Sequence, residues 1–260
     1  MSEGIFDSSS AYYDLLYETK EYDKEAVYIG ELIREFHPHA KTIADLGCGT
    51  GMHAWRFAQQ GYEVEGIDQS EPMLKVARQR ASAYPGVDHE PRFAQGVLEQ
   101  FRLAERKDVI VSLFDVVSYL RDYDAFRAFA ENVRSALKPG GLLIFDCWYG
   151  PAVHAQRPGV RVKRLENAEI KLTRIADGDF HPDHNQIDVG YEVFVTRKAD
   201  GVISSFREMH RLRCYFEDEL DLLLAQSSLE RLFTRQWLTG KAPSTSSWSV
   251  LFGYRLKTTG

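Results

Sequence analysis

Residue types and spacing first suggest chemistry at Asp45-Leu46-Gly47-Cys48-Gly49-Thr50-Gly51. An apolar run, Thr42 to Leu46, enters this stretch, and a helical pattern beginning near Met52 leaves it. Glycine accepts positive φ, and its missing Cβ lets a ligand approach the backbone. A strand, a glycine turn and a helix start are how α/β folds hold a nucleoside-bearing cofactor. The spacing here is Gly-x-Gly-x-Gly, not the dinucleotide fingerprint, and Asp45 stands ahead of the glycines. A second acid, Asp68, closes the alternating run Tyr62 to Ile67. It lies about twenty residues past the loop, where an acid commonly takes ribose hydroxyls. Further on, Asp115, Tyr119 and Asp146 follow apolar runs and are candidate proton acceptors. Each has a plainer use: Asp115 and Ser118 suit helix caps, and Asp146 suits backbone donors. His53 is as readily a packed helix residue as a group near the reaction.

The elements that must position these residues alternate. Lys24 to Phe36 repeats apolar residues at helical spacing, and Pro38 ends it. Strands are expected at Thr42–Leu46, Tyr62–Ile67, Pro91–Gly96, Asp108–Phe114 and Leu142–Asp146. Helices are expected near Met52–Gln60, from Ser70-Glu71-Pro72 to about Ala83, and at Tyr123–Leu137. Lys138-Pro139-Gly140-Gly141 reads as a turn. The run Asp108 to Phe114 is apolar nearly throughout, as a strand covered on both faces should be. This alternation implies a doubly wound, mostly parallel sheet. After Tyr149 the rhythm changes to period two, with strands expected at Val160–Leu165, Glu169–Ile175, Ile187–Arg197 and Ser204–Cys214. Ala199-Asp200-Gly201 is a hairpin signal within this antiparallel meander. A helix, Glu217–Ala225, and two strands, Leu232–Leu238 and Trp248–Leu256, follow and are expected to rejoin the main sheet. The expected division is 1–150 for an N-terminal lid and cofactor core, 151–215 for an antiparallel β insert, and 216–260 for the segment completing the core sheet. At the N-terminus, Ser8-Ser9-Ser10 is expected to cap a short helix through Leu16, beside the tyrosines 12, 13, 17 and 22.

The 260-residue chain carries a net charge of -6 with both signs intermixed, and no basic block of the kind nucleic acid favours. Its three cysteines, Cys48, Cys147 and Cys214, are widely spaced and fit a reducing, cytoplasmic setting. Met1-Ser2-Glu3-Gly4 lacks the basic and apolar regions of a signal peptide, and no apolar stretch is long enough to span a bilayer. His181-Pro182-Asp183-His184 falls in an expected hairpin loop, so no metal ligand set is assigned. These features point to a small-molecule protein without nucleic acid or membrane partners; a homodimer is compatible with them.

Three signatures, the glycine loop from Asp45 to Gly51, Asp68 after the second strand, and Lys138-Pro139-Gly140-Gly141, together resemble class I S-adenosylmethionine-dependent methyltransferases. The likeness implies a Rossmann-like, doubly wound, mostly parallel seven-stranded sheet with an inserted antiparallel β cap. Tyr12-Tyr13-Asp14-Leu15-Leu16-Tyr17, Ser112-Leu113-Phe114 and Trp148-Tyr149-Gly150-Pro151 are similar to enzymes that N-methylate nucleotide-linked aminosugars. By that resemblance, Gly47, Gly49 and Gly51 admit the methionyl part of S-adenosyl-L-methionine, and Asp45 orients the loop and the amine. Asp68 takes the ribose, Leu113 offers its carbonyl to the amine, and Tyr22 reaches the carboxylate. Many relatives place an acid after the third strand to bond the adenine amino group; here Gln95-Gly96-Val97-Leu98 leaves only the backbone of Val97 and Leu98, with Glu99 as a neighbouring acid.

Methyl transfer from a sulfonium is an in-line displacement, so the protein must align the acceptor and exclude water. An amine acceptor needs only to shed an ammonium proton, whereas a hydroxyl acceptor, of a sugar or other small metabolite, draws more on a placed base. Asp115, Tyr119 and Asp146 are the catalytic candidates, and Tyr13, Trp148, Tyr149 and Trp248 the substrate-binding ones. Arg157, Arg161, Lys163, Arg164, His210, Arg211 and Arg213 form a local excess of positive charge in an acidic chain, suited to a nucleotide-diphosphate handle.

Overall fold

The computed structural model describes residues 12–258, so the expected Ser8-Ser9-Ser10 cap lies outside the described residues. The chain opens with α1 (Tyr13–Leu16) and α2 (Tyr22–Phe36). There follow β1 (Thr42–Leu46), α3 (Met52–Gln59), β2 (Glu63–Asp68), α4 (Glu71–Gln79), β3 (Arg92–Gln95) and β4 (Lys107–Ser112). α5 (Tyr123–Ala136), β5 (Leu137–Trp148) and α6 (Gly150–Gln156) complete the first part. Four strands then run without helices: β6 (Arg161–Glu166), β7 (Ile170–His181), β8 (Gln186–Arg197) and β9 (Ile203–Arg213). α7 (Glu217–Ala225), β10 (Leu229–Gln236) and β11 (Ser249–Leu256) end the fold.

The main sheet has seven strands in the order β10-β11-β5-β4-β1-β2-β3, and β6 to β9 form a separate four-stranded sheet. β1 to β5 are parallel, while β10 and β11 pair antiparallel. Both faces of the main sheet are covered, and β4 shows why its sequence is apolar throughout. Val109 and Val111 pack on one side with Ile29 and Ile33 of α2 and Phe57 of α3. Ile110 packs on the other side with Phe126 and Phe129 of α5 and Leu220 and Leu224 of α7. Each such fully buried side chain contributes roughly 1.5–3 kcal/mol relative to exposure. Parallel strands sandwiched this way place the loops after β1, β2, β4 and β5 along one edge.

Several boundaries differ from the sequence expectation for local reasons. Ser70 caps α4 by accepting from the Met73 N–H, but the α-helix ends at Gln79 and tightens into a 3-10 turn over Arg80–Ala83. Lys138-Pro139-Gly140-Gly141 is not a separate turn before a strand. It bulges inside a continuous β5, between the pairs Lys107↔Leu137 and Val109↔Leu142, with Gly140 at φ +77°. β7 runs on past Ile175 to His181 because each of its residues, from Ile170↔Arg197 to His181↔Gln186, finds a partner on β8. Pairing there overrides the strand-breaking composition of Asp177-Gly178-Asp179. The short helix α6, with Pro151 in its first turn, was not anticipated.

Candidate active site

A cavity of about 1070 Å³ lies between the loop edge of the main sheet and the four-stranded sheet. Small-molecule sites commonly run about 300–1,000 Å³, so this one has room for two ligands side by side.

Its floor is made of loops. The Gly47 and Cys48 N–H groups both donate to the Ile67 carbonyl, at 2.7 and 3.0 Å, pinning the glycine loop to the end of β2. Gly47 has φ +73°, and a Cβ there would meet Val116 Cγ1 at 2.5 Å. Gly49 has φ +53°, and a Cβ there would meet nothing within 4 Å, because it would enter the cavity. Gly51 instead sits against Ala77 and Phe93 and does not line the cavity. Asp68 accepts from the Gly49 N–H at 2.8 Å and the Ser70 N–H at 2.9 Å, one oxygen each. That leaves a rigid carboxylate on the cavity wall with lone pairs to spare. Burial raises its pKa against those two bonds.

Asp45 lies buried behind the loop, and its Oδ2 is buried with no partner among the described residues. Burial first, and the charge of Asp68 second, push its carboxyl up to about 7. A carboxylate in that state calls for a cation, since unpaired buried charge is costly.

The loop after β4 is unusual. Phe114 and Asp115 have φ +73° and +59°, a left-handed pair that costs L-residues about 1–2 kcal/mol each. Asp146 holds it: Oδ1 accepts from the Phe114 N–H at 2.7 Å and Oδ2 from the Asp115 N–H at 3.2 Å. The Ser249 hydroxyl sits 2.8 Å from Asp146 Oδ2 and 3.0 Å from Asp115 Oδ1. Asp146 does not line the cavity, so its place is beneath the loop, fixing Leu113 and Asp115, which do line it. Burial, and then the neighbouring Asp146 carboxylate, raise the Asp115 carboxyl well above the usual range. Asp115 makes no side-chain cap to the following 3-10 turn, Val116–Tyr119, and Ser118 Oγ accepts from the Trp148 N–H instead.

The roof is one face of the β6–β9 sheet. Across its register, one row reads Arg161–Ala176–Tyr191–Glu208 and the next Lys163–Arg174–Val193. Arg161, Lys163, Arg174, Arg211, Glu208 and His210 all line the cavity. Arg174 donates to the Tyr17 hydroxyl at 3.1 Å, and its Nε is buried with no partner among the described residues. α1 ties roof to floor. Leu16 packs with Leu172, Val193 and Val195, and Lys163 donates to the Leu16 carbonyl. Thr50 donates to Asp14, which also pairs with Arg80.

Of the residues singled out from sequence, Tyr13, Tyr22, Gly47, Gly49, Asp68, Val97, Leu98, Leu113, Asp115, Tyr119, Trp148 and Trp248 line the cavity. Trp148 and Trp248 meet edge to face at 5.6 Å, and Arg161 lies over Trp248. Tyr149 is a correction: its ring joins the core and its hydroxyl donates to Glu217 at 3.0 Å, so it turns away from the substrate side. Asp146 is likewise moved from touching substrate to positioning the loop. Arg213, one of the expected cationic group, is spent on Glu219 at 2.6 Å. His53 Nε2 lies 2.8 Å from Glu25, which also pairs with Lys20. Burial alone would raise the Glu25 carboxyl, but His53 and Lys20 outweigh it and hold it at about 2. Glu25, Arg174 and Glu208 were missed; the period-two pattern of β7 and β9 carries the signal for the last two, once register is known.

Residues 43–141 match a family model described as a methyltransferase domain. Over those residues the chain is similar to methyltransferase domains. It is 32% identical over 145 residues to a dTDP-3-amino-3,4,6-trideoxy-alpha-D-glucopyranose N,N-dimethyltransferase of Streptomyces venezuelae, covering 55% of this chain and 58% of that protein. A dTDP-3-amino-3,6-dideoxy-alpha-D-glucopyranose N,N-dimethyltransferase of Streptomyces fradiae is 26% identical over 84% of this chain and 82% of its own length. Among solved structures, an amino pentose methyltransferase from Micromonospora echinaspora, with S-adenosylmethionine bound, superposes with a TM-score of 0.75. It is 25% identical and covers 99% of this chain and 100% of that one. The methyltransferase from Clostridium acetobutylicum, at 21% identity and a TM-score of 0.81 over 97% of this chain and 99% of that one, shares the fold. The alignment to the Streptomyces venezuelae protein thus spans little more than half of that relative's length.

The residues present fit the cofactor. The open space over Gly49 suits its methionyl chain and Asp68 its ribose hydroxyls, while Asp45 does not line the cavity and sets a buried, unpartnered oxygen behind the glycine loop. At the adenine end, Val97, Leu98, Glu99 and Gln100 line the cavity. When bound, the cofactor supplies a methyl carbon on a positively charged sulfur, an already activated leaving group.

Proposed function

We propose that this chain is an S-adenosylmethionine-dependent methyltransferase that N-methylates an amino group on a nucleotide-diphosphate-linked sugar. One observation carries the reading: a cationic roof with an unpartnered, buried Arg174 Nε faces an acidic, glycine-lined floor across a cavity with room for two ligands. Guanidinium groups match phosphate oxygens in charge and fork geometry. The Trp148–Trp248 pair offers apolar planes at the same opening, suited to a sugar ring or nucleobase. The relatives from Streptomyces venezuelae and Streptomyces fradiae, named as dTDP-aminosugar N,N-dimethyltransferases, support the same substrate class. On this reading Asp45, Gly49, Asp68 and Leu113 hold the donor, while Tyr13, Asp115, Tyr119 and the roof meet the acceptor. The test is incubation of the purified chain with labelled S-adenosylmethionine and dTDP-3-amino-3,6-dideoxyglucose, read by mass spectrometry. A gain of one or two methylene units on the sugar nitrogen is expected. Labelling of a hydroxyl compound with none on the amine would move the assignment to O-methylation.

A further inference from the structure

Across the cavity from the glycine loop, three side chains from two elements meet. Tyr119, from the 3-10 turn after β4, places its hydroxyl 2.6 Å from His210 Nδ1 on β9. His210 Nε2 lies 3.4 Å from Glu208 Oε2, two residues along the same strand face. All three line the cavity, and His210 is only 3% exposed. Tyr191 of β8 closes the far side of the imidazole, edge to face at 4.7 Å. Glu208 as a carboxylate accepts, so Nε2 carries the ring proton. Nδ1 is then the acceptor, and the Tyr119 hydroxyl donates to it.

We propose that Tyr119, His210 and Glu208 form a proton relay that takes the proton shed by the acceptor group. The proposal rests on the function proposed above and adds the route of that proton. The acceptor N–H gives its proton to Tyr119 Oη as the Tyr119 hydroxyl proton passes to His210 Nδ1. The acceptor nitrogen keeps the electron pair, Tyr119 ends as a neutral phenol, and His210 becomes an imidazolium facing Glu208. Burial first, then the neighbouring Tyr191, hold the Tyr119 hydroxyl well above its ordinary pKa, so the phenol does not ionise on its own and depends on His210 to act. Tyr119 is the catalytic residue of this set; His210 and Glu208 position and poise it. Among the described residues, the charged and titratable groups near the imidazole include Tyr119 from the turn, Glu208 on its own strand and Tyr191 on β8, with Arg174 beyond at 4.8 Å from the Tyr191 ring and Tyr17 and Asp115 acting on Tyr119.

Two measurements test the relay. The first is the nitrogen-15 NMR spectrum of the His210 ring in cofactor-free protein. The ring proton is expected on Nε2, and Tyr119→Phe is expected to shift the Nδ1 nitrogen resonance by removing the hydrogen bond it accepts. An Nδ1 resonance that Tyr119→Phe leaves unchanged, or a ring proton found on Nδ1, overturns the relay. The second is steady-state methylation of the dTDP-aminosugar. Tyr119→Phe and His210→Gln each lower kcat by about 100-fold with KM within about twofold, and the double variant is no worse than either. Glu208→Gln, which keeps shape but loses charge, lowers kcat by about tenfold. Variants that retain wild-type kcat, or that lose only KM, overturn the relay while the substrate assignment stands. A wild-type chain that methylates no nucleotide-linked amine overturns the substrate assignment, and the ring spectrum then decides the relay.

Discussion

The two walls of the cavity are built on opposite principles. The floor is a set of turns at strand ends, where single residues with special backbone angles carry the work: Gly47, Gly49, Phe114 and Asp115 all have positive φ. The roof is uninterrupted strand, where ordinary backbone presents every second side chain inward. The floor is acidic, with Asp68 and Asp115 on it and Asp45 and Asp146 buried beneath; the roof carries Arg161, Lys163, Arg174 and Arg211. A donor with a positive sulfur and ammonium group belongs on the first, and a phosphate-bearing acceptor on the second. If that division holds, changes on each wall alter one ligand and spare the other.

The sharpest break comes at Asp68. On the proposed donor site, Asp68→Ala would remove two hydrogen bonds from a charged group to the ribose, worth about 1.5–3 kcal/mol each. It also strands the Gly49 and Ser70 N–H groups. S-adenosylhomocysteine affinity, measured by calorimetry, should fall about 100- to 10,000-fold. Undiminished affinity would place the ribose elsewhere.

The glycines divide within the floor itself. Gly47→Ala and Gly49→Ala each force an L-residue into left-handed backbone, at about 1–2 kcal/mol. Only Gly47 has Val116 Cγ1 in the way, at 2.5 Å, adding an overpacking cost of about 1–3 kcal/mol. Urea denaturation of the cofactor-free protein should therefore find Gly47→Ala the less stable. Gly49→Ala should lose cofactor affinity out of proportion to its stability, because its Cβ enters the cavity. Equal stability and undiminished affinity for Gly49→Ala would remove the loop from the donor site.

On the roof, Arg174→Ala should raise KM for the nucleotide-linked acceptor about tenfold, the scale of one charge-assisted bond after water takes its place. S-adenosylhomocysteine affinity should stay within about twofold. A loss shared by both ligands would show that Arg174 acts through Tyr17 and the adjoining α1 instead of through the acceptor.

The difference between the walls also explains what could be read from sequence. Turns need particular residues, so Asp45 to Gly51 and Asp68 announce themselves in one dimension, as does the strand–helix rhythm around them. The roof's chemistry depends on register. Tyr119 meets His210 across 91 positions, and neither neighbourhood carries a mark of the other. Arg174 and Glu208 look like any solvated residues of alternating strands until the β6–β9 pairing turns their face inward. The bulge at Lys138–Gly141 was misread for the same reason. Proline and two glycines suggest a turn, but pairing with β4 on both sides carries the strand through. Tyr149 sits beside Trp148 in sequence, but it lies past the end of β5 as the N-cap residue of α6, and its ring turns into the core.

The smallest expected effect is the most specific to the floor's charge. The Asp45 carboxyl is held at about 7 by burial and by Asp68, against about 3.9 for an unfolded aspartate. Between those values the cofactor-free native state keeps a proton that the unfolded chain has lost. Stability therefore falls as pH rises through this window, and Asp68 and Asp115, raised in the same direction, act with it. A cationic ligand reverses the preference: its ammonium group stabilises the ionised carboxylate and drives the proton off. S-adenosylhomocysteine affinity should accordingly rise with pH from about 5.5 to 7.5, by no more than about tenfold per pH unit. Calorimetry in buffers of different ionisation enthalpy should detect the released proton. Asp45→Asn should flatten the dependence, and 5'-methylthioadenosine, which lacks the amino-acid group, should show none in the wild type. A proton released equally on binding both ligands would trace the effect to Asp68 at the ribose, and Asp45 would then serve the loop alone.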